Sequence, residues 1–136
     1  MAVLGGGLVG CETALHLALD GKYVTVIEMM DRVCPDANQR YRPLLMAQLE
    51  KHVTCVTGMC GQKITGQGII CMDKDGNEVI FDANTVICAV GQKPLRSVAE
   101  NLQNCAPEVI EIGDCVKAAN VTEAVFRGYW AGVEIE

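Results

Sequence analysis

The stretch Ala2-Val3-Leu4-Gly5-Gly6-Gly7-Leu8-Val9-Gly10-Cys11-Glu12-Thr13-Ala14 decides how this chain reads. Three apolar residues stop at a glycine cluster, and a helical pattern begins inside it. Leu8, Cys11, Leu15, Ala18 and Leu19 fall on the predicted buried face. Gly21 suits the residue just past the helix end, where a left-handed backbone is wanted. Lys22-Tyr23 then lead into Val24-Thr25-Val26-Ile27, a β-branched run that ends at Glu28. Alone, Gly5-x-Gly7-x-x-Gly10 is a weak signal. Placed between a strand and a helix, in a strand–helix–strand unit of about 30 residues, it becomes specific. Gly5 permits the tight turn, Gly7 lets the backbone approach a pyrophosphate, and Gly10 allows close packing of helix on strand. The phosphates would lie against the N-terminus of the helix at Leu8 and Val9, where free N–H groups and the dipole favour anions. Glu28, 18 residues beyond Gly10, stands near the position of the acidic residue that binds a ribose diol. The competing reading is a tight structural turn before a helix. The complete context favours dinucleotide binding.

Beyond Glu28 a loop through Asp31 and Pro35 precedes a second predicted helix. Its buried side carries Tyr41, Leu44, Leu45 and Leu49, and Pro43 marks its first position. Val53–Thr57 predicts a third strand of the parallel set. The pattern then changes: Asp75-Gly76, between Ile69–Met72 and Glu78–Phe81, signals a hairpin. An antiparallel meander over residues 60–82 thus replaces the expected crossover helix. Thr85–Val90 predicts another buried strand, closed by Gly91-Gln92-Lys93-Pro94. A short amphipathic piece (Leu95, Val98, Leu102) ends by Pro107. Val109–Ile112 predicts a last strand ending at Gly113-Asp114, and residues 121–136 a final helix capped by Asn120 or Thr122. The predicted fold class is α/β, a Rossmann-type parallel sheet with an antiparallel β-meander crossover.

Composition narrows the partners. Of 136 residues, 50% are hydrophobic and 21% charged, which argues for a packed core and against disorder. The net charge of -6 and the scarcity of aromatic residues leave no basic patch for a phosphate backbone, so nucleic acid is not an expected partner. No run reaches the roughly 18 apolar residues of a membrane span, and Met1–Gly5 lacks the features of a signal peptide. A cytoplasmic protein without membrane contact is expected. The eight cysteines make up about 6% of the chain, below the roughly 8–10% of disulfide scaffolds. They show no zinc spacing, so no metal site is expected, and several lie in apolar runs such as Val86–Val90. Reduced structural thiols are the expectation.

With these residues in view, Gly5–Ala14, the meander, Cys88-Ala89-Val90-Gly91-Gln92-Lys93-Pro94 and Ile112-Gly113-Asp114 resemble the FAD-dependent pyridine nucleotide–disulfide oxidoreductase superfamily. The likeness covers nearly the whole chain. It looks most like NADH:flavin oxidoreductases related to 2-enoate and 2,4-dienoyl-CoA reductases. The resemblance implies an NAD(H)-binding domain over residues 1–94 and, over 95–136, the return segment of a truncated FAD-binding domain. It implies that Ala89 and Gly91 line the nicotinamide side and that Gly113 and Asp114 face FAD. Glu12 matches a family glutamate near the nicotinamide; the alternative is a surface carboxylate paired with His16. Met29 and Met30 are candidates for adenine contact, with loop packing as the alternative. Cys55 and Cys60 have the spacing of the redox disulfide in glutathione-reductase-like relatives. There, however, the pair opens a helix beside the flavin, so a redox role is not expected here. His52 reads as a solvated helix-end residue rather than a base.

Only one glycine fingerprint is present, with no FMN barrel and no cysteine cluster at iron–sulfur spacing. The expectation is therefore a segment of a longer NADH-dependent enzyme that presents nicotinamide to FAD. Its substrate site, and any FMN and iron–sulfur cluster, would lie elsewhere in the parent. The expected partners are NADH and the remaining FAD domain. The rival readings are a domain of an NADH oxidase or of a ferredoxin/rubredoxin reductase-type flavoenzyme, and a non-catalytic NAD-sensing module.

Overall fold

A computed structural model describes residues 1–135; Glu136, the end of the predicted final helix, lies outside the described residues. The chain divides into two compact units, Met1–Gly91 and the remainder from Gln92.

The first unit is built on a parallel sheet of four strands, β1 (Ala2–Leu4), β2 (Thr25–Ile27), β3 (Thr54–Val56) and β7 (Val86–Cys88), in the order β3-β2-β1-β7. Helix α1 (Leu8–Leu19) connects β1 to β2, and α2 (Arg42–His52) connects β2 to β3. Alternation along each strand sends successive side chains to opposite faces. Val3 and Val26 face one way and join Cys11, Ala14, Leu45 and Leu49 in the helix-side core. Ala2 and Ile27 face the other way and join Ile69 and Cys71. Both faces of the sheet are thus covered, which fits the apolar run of β1 and the apolar Val26-Ile27 of β2.

The second face is covered by the predicted meander, β4 (Cys60–Ile64), β5 (Gly68–Met72) and β6 (Glu78–Asp82), a separate antiparallel sheet in the order β4-β5-β6. The β5–β6 turn is held by Asp73, whose carboxylate accepts N–H groups from Asp75 (2.9 Å) and Asn77 (2.8 Å) and the Asn77 side-chain amide (2.9 Å). These donors, the Asn77 side chain foremost, hold the Asp73 carboxyl below its ordinary value. The α/β architecture with a meander crossover matches the sequence expectation.

Several local expectations need correction. On α1 it is Gly10, Cys11 and Ala14 that are buried, while Leu8 and Leu19 are exposed. The helix lies so close to β1 that small residues fill the contact. On α2 only Leu45 and Leu49 are buried; Tyr41 and Leu44 face solvent, and Pro43 is the second helical residue rather than the first. Strand β7 is half-buried, with Cys88 exposed, because it forms the sheet edge.

The second unit contains α3 (Arg96–Glu100), a 3-10 turn at Gly113–Cys115 and α4 (Val121–Glu134). Val109–Ile112 is not a strand. A strand needs a neighbour for its N–H and C=O groups, and among the described residues this segment joins neither sheet. Asn120 caps α4, its side chain accepting the Glu123 N–H at 3.0 Å. No described residue of this unit is buried, and Val121, Val125, Phe126, Tyr129 and Trp130 of α4 are all exposed. No described helix is long and apolar enough to cross a membrane.

Candidate functional site

The C-terminal ends of β1, β2 and β7 meet at one edge of the first unit, and backbone bonds tie them together. Gly5 N–H donates to the Ile27 carbonyl (2.8 Å) and Ala89 N–H to the Leu4 carbonyl (2.7 Å). The glycines of the loop have separate reasons to be glycine. Gly5 adopts φ +106°, and a Cβ there would collide with the Ala89 carbonyl. A Cβ on Gly10 would collide with the Gly5 carbonyl and lie 3.3 Å from Ala89 Cβ. Gly7 differs: its φ of -67° and ψ of 179° suit any residue, and a Cβ would meet nothing within 4 Å. The space above Gly7 is open and borders the start of α1. That helix has no side-chain cap, so its first amides keep their donors for an anion.

Glu28 lies behind this loop, 8% exposed. Its Oε2 accepts the Gly6 N–H at 2.5 Å and its Oε1 accepts the Met30 N–H at 2.7 Å. Each carboxylate oxygen has further acceptor capacity, so both could also take a ribose hydroxyl. Glu28 therefore links the end of β2 to the glycine loop. Met29 and Met30 are exposed beside it, with side chains off the core.

The structure adds residues that sequence spacing does not suggest. Cys34 packs under the loop with φ 50°, the one non-glycine residue with positive φ among those described. Its N–H donates to the Gly6 carbonyl at 2.7 Å. The Cys11 thiol donates to the same carbonyl at 3.4 Å, and the Cys34 thiol donates to the Gly7 carbonyl at 3.9 Å. Burial pushes both thiols above their ordinary value, so they stay protonated. Arg42 braces this segment, its guanidinium donating to the carbonyls of Cys34 (3.0 Å) and Val33 (3.2 Å).

Glu12 lies exposed in the first turns of α1, where Tyr41 donates its hydroxyl to Oε1 at 2.8 Å. This bond, before all else, raises the Tyr41 hydroxyl above its ordinary value. The expected alternative, a pairing with His16, is not formed; His16 sits 3.7 Å from Asp20 instead, one helical turn further on. Ala89 packs against Gly5 and Gly10, and Gly91 follows with φ +90° and open space around it. Gly113 (φ +70°) and Asp114 belong to the second unit, where Asp114 lines a cavity of about 670 Å³ with Lys93, Leu95, Val98 and Leu102. Cys55 lies in β3 and Cys60 opens β4, both as exposed free thiols. His52 is the exposed last residue of α2. Among the described residues no group of three or more His, Cys, Asp or Glu is placed to hold a metal ion.

Comparison with known proteins follows the same lines. A family model, Pyridine nucleotide-disulphide oxidoreductase, matches residues 1–128. The chain belongs to this family. It is 32% identical over 137 residues to an NADH oxidase of Thermoanaerobacter brockii, covering 99% of this chain and 21% of the relative. It is 35% identical over 133 residues to a bilirubin reductase of Mediterraneibacter gnavus, covering 96% and 21%. Among solved structures it is similar to 2-naphthoyl-CoA reductase, with a TM-score of 0.87 and 29% identity, covering 99% of this chain and 21% of that one. The chain thus spans about a fifth of the length of these pyridine nucleotide-disulphide oxidoreductase relatives.

Proposed function

We propose that residues 1–94 bind NADH, and that residues 95–136 are the return segment of an FAD domain completed by the rest of a longer enzyme. The observation that carries the first half is the open space above Gly7, bordered by uncapped amides of α1 and backed by Glu28. In this reading Gly7, Leu8, Val9 and Gly10 offer backbone donors to the pyrophosphate. Glu28 accepts the adenosine ribose hydroxyls. Ala89 and Gly91, at the end of β7, would border the nicotinamide, and Glu12, held by Tyr41, would face its carboxamide.

The second half rests on the absence of any buried residue among the described part of the second unit, whose apolar surface calls for a covering domain. Gly113 and Asp114 would contact FAD there. Bound FAD would supply the hydride acceptor, and this chain's task would be to hold nicotinamide in place. The parent would be a cytoplasmic enzyme of enoate or dienoyl-CoA reductase type, with FMN and an iron–sulfur cluster elsewhere. Similarity to 2-naphthoyl-CoA reductase supports that reading. The similarity to an NADH oxidase supports a second reading, a parent of oxidase type.

Titrating NADH into the chain tests the nucleotide half: saturable one-to-one binding supports it, and no saturation by folded protein refutes it. Flavin content and NADH-dependent dye reduction of the parent test the other half. A flavin-free parent would contradict it.

A further inference from the structure

We propose that Lys74, on the meander turn, and Asp31, after β2, together set the choice between NADH and NADPH. The inference rests on the reading of the first unit as a dinucleotide site and adds to it a residue from outside the glycine-loop unit.

The strand order places the end of β2 between β1 and β3. A dinucleotide with its pyrophosphate on the loop after β1 therefore runs its adenosine half over the end of β2. Two backbone bonds join the segment after β2 to the one after β3: Gly58 N–H to the Met30 carbonyl (3.0 Å) and Met59 N–H to the Glu28 carbonyl (2.9 Å). Onto this junction comes Lys74. Its stem crosses Gly58, where an added Cβ would lie 3.2 Å from Lys74 Cε. Its ammonium pairs with the Asp31 carboxylate, 43 residues away in sequence. The two side chains are 63% and 80% exposed, so the pair contributes little to stability.

Its effect is on charge. A 2′-phosphate needs a cation beside the ribose. Glu28, Asp31 and Arg32 follow one another closely in the chain at the end of β2, and Lys74 joins them through its pair with Asp31. With Lys74 neutralised by Asp31, a 2′-phosphate would meet the Glu28 carboxylate without the Lys74 charge to offset it. Release of Lys74 would turn the same surface toward NADPH. An ammonium is a mobile point charge on a flexible stem, suited to that change.

The test is a double-mutant cycle read by fluorescence titration with NADH and with NADPH at low ionic strength. Asp31→Asn should raise the affinity ratio of NADPH to NADH about fivefold, the effect of one freed charge on a phosphate of about −1.5 to −2 at roughly 7 Å in a solvent-like dielectric. The gain should shrink at physiological salt. Lys74→Ala should lower the ratio, and Asp31→Asn with Lys74→Ala should return it to the wild-type value. An unchanged ratio in Asp31→Asn would overturn the inference. So would a double variant whose ratio stays as far above the wild-type value as that of Asp31→Asn alone. If folded wild type binds neither nucleotide, the reading of the dinucleotide site itself fails, and this inference with it.

Discussion

Gly7, the N-cap of α1, and Gly10, in its first turn, lie three residues apart, and a single added methyl group should have opposite consequences at each. At Gly7 the backbone (φ -67°, ψ 179°) already suits alanine, and the methyl meets no atom within 4 Å. Restricting the unfolded chain contributes about 0.4–1 kcal/mol of stability. Alanine in place of glycine at a helix N-cap costs a similar amount, roughly 0.5–1 kcal/mol. Gly7→Ala should therefore fold with a stability within about 0.5 kcal/mol of wild type. Its methyl would stand where the pyrophosphate must approach, so NADH affinity should fall at least tenfold, about 1.4 kcal/mol. At Gly10 the methyl would collide with the Gly5 carbonyl, a backbone atom fixed by the bond from Gly5 N–H to Ile27. Overpacking of this kind costs about 1–3 kcal/mol, and rigid backbone places Gly10→Ala at the upper end. With a urea slope near 2 kcal/mol/M, the midpoint should drop by roughly 1.5 M. The assay is urea denaturation followed by far-UV circular dichroism, since the single Trp, Trp130, belongs to the second unit. NADH titration of both variants completes it. Wild-type NADH binding by Gly7→Ala would refute the placement of phosphate above Gly7. A stable Gly10→Ala would refute the close helix–strand contact.

Wild type should bind NADH at least fivefold more tightly than NADPH, because even a quarter of a like-charge repulsion near 4 kcal/mol reaches that factor. Glu28→Gln, which orphans either the Gly6 or the Met30 N–H, should cost about 1–3 kcal/mol of stability and weaken NADH binding, as urea melts and calorimetry would show. Cys11, Cys34 and Cys71 are buried and should resist a thiol reagent in native protein, whereas all eight thiols should react after denaturation. A shortfall of two mapped to Cys55 and Cys60 would contradict this. Burial raises the Cys11 thiol, so the folded state keeps a proton that the unfolded chain releases near pH 9. Stability should hold below that pH and fall as pH rises beyond it, measured as a urea midpoint from pH 7 to 10. The second unit has no buried described residue, so its amides should exchange far faster than those of β1 and β2, and the purified chain should be colourless. Slow exchange in α4, or FAD retained through gel filtration, would count against an incomplete flavin domain.

The parts of this protein visible in its sequence are those written in consecutive residues. The glycine loop, the β-branched run into Glu28 and the Asp75-Gly76 hairpin depend on local backbone chemistry, and each stands where expected. The buried face of α1 was harder to read. Hydrophobicity points to Leu8 and Leu19, but closeness to β1 selects Gly10 and Ala14, which pattern alone underrates. Val109–Ile112 has the composition of a strand and lacks a partner strand, and composition carries no information about partners. The bonds of Tyr41 to Glu12, Cys34 to Gly6 and Lys74 to Asp31 join residues 29, 28 and 43 positions apart. No periodicity announces them; only the sheet order brings them together.

NADH titration followed by amide chemical shifts tests the proposed dinucleotide site on the first unit residue by residue. Saturable changes should centre on Gly7, Leu8, Val9 and Gly10, with Met30 responding through its bond to Glu28. Absence of shifts in a folded chain, or shifts centred on β4–β6 with the glycine loop silent, would contradict it.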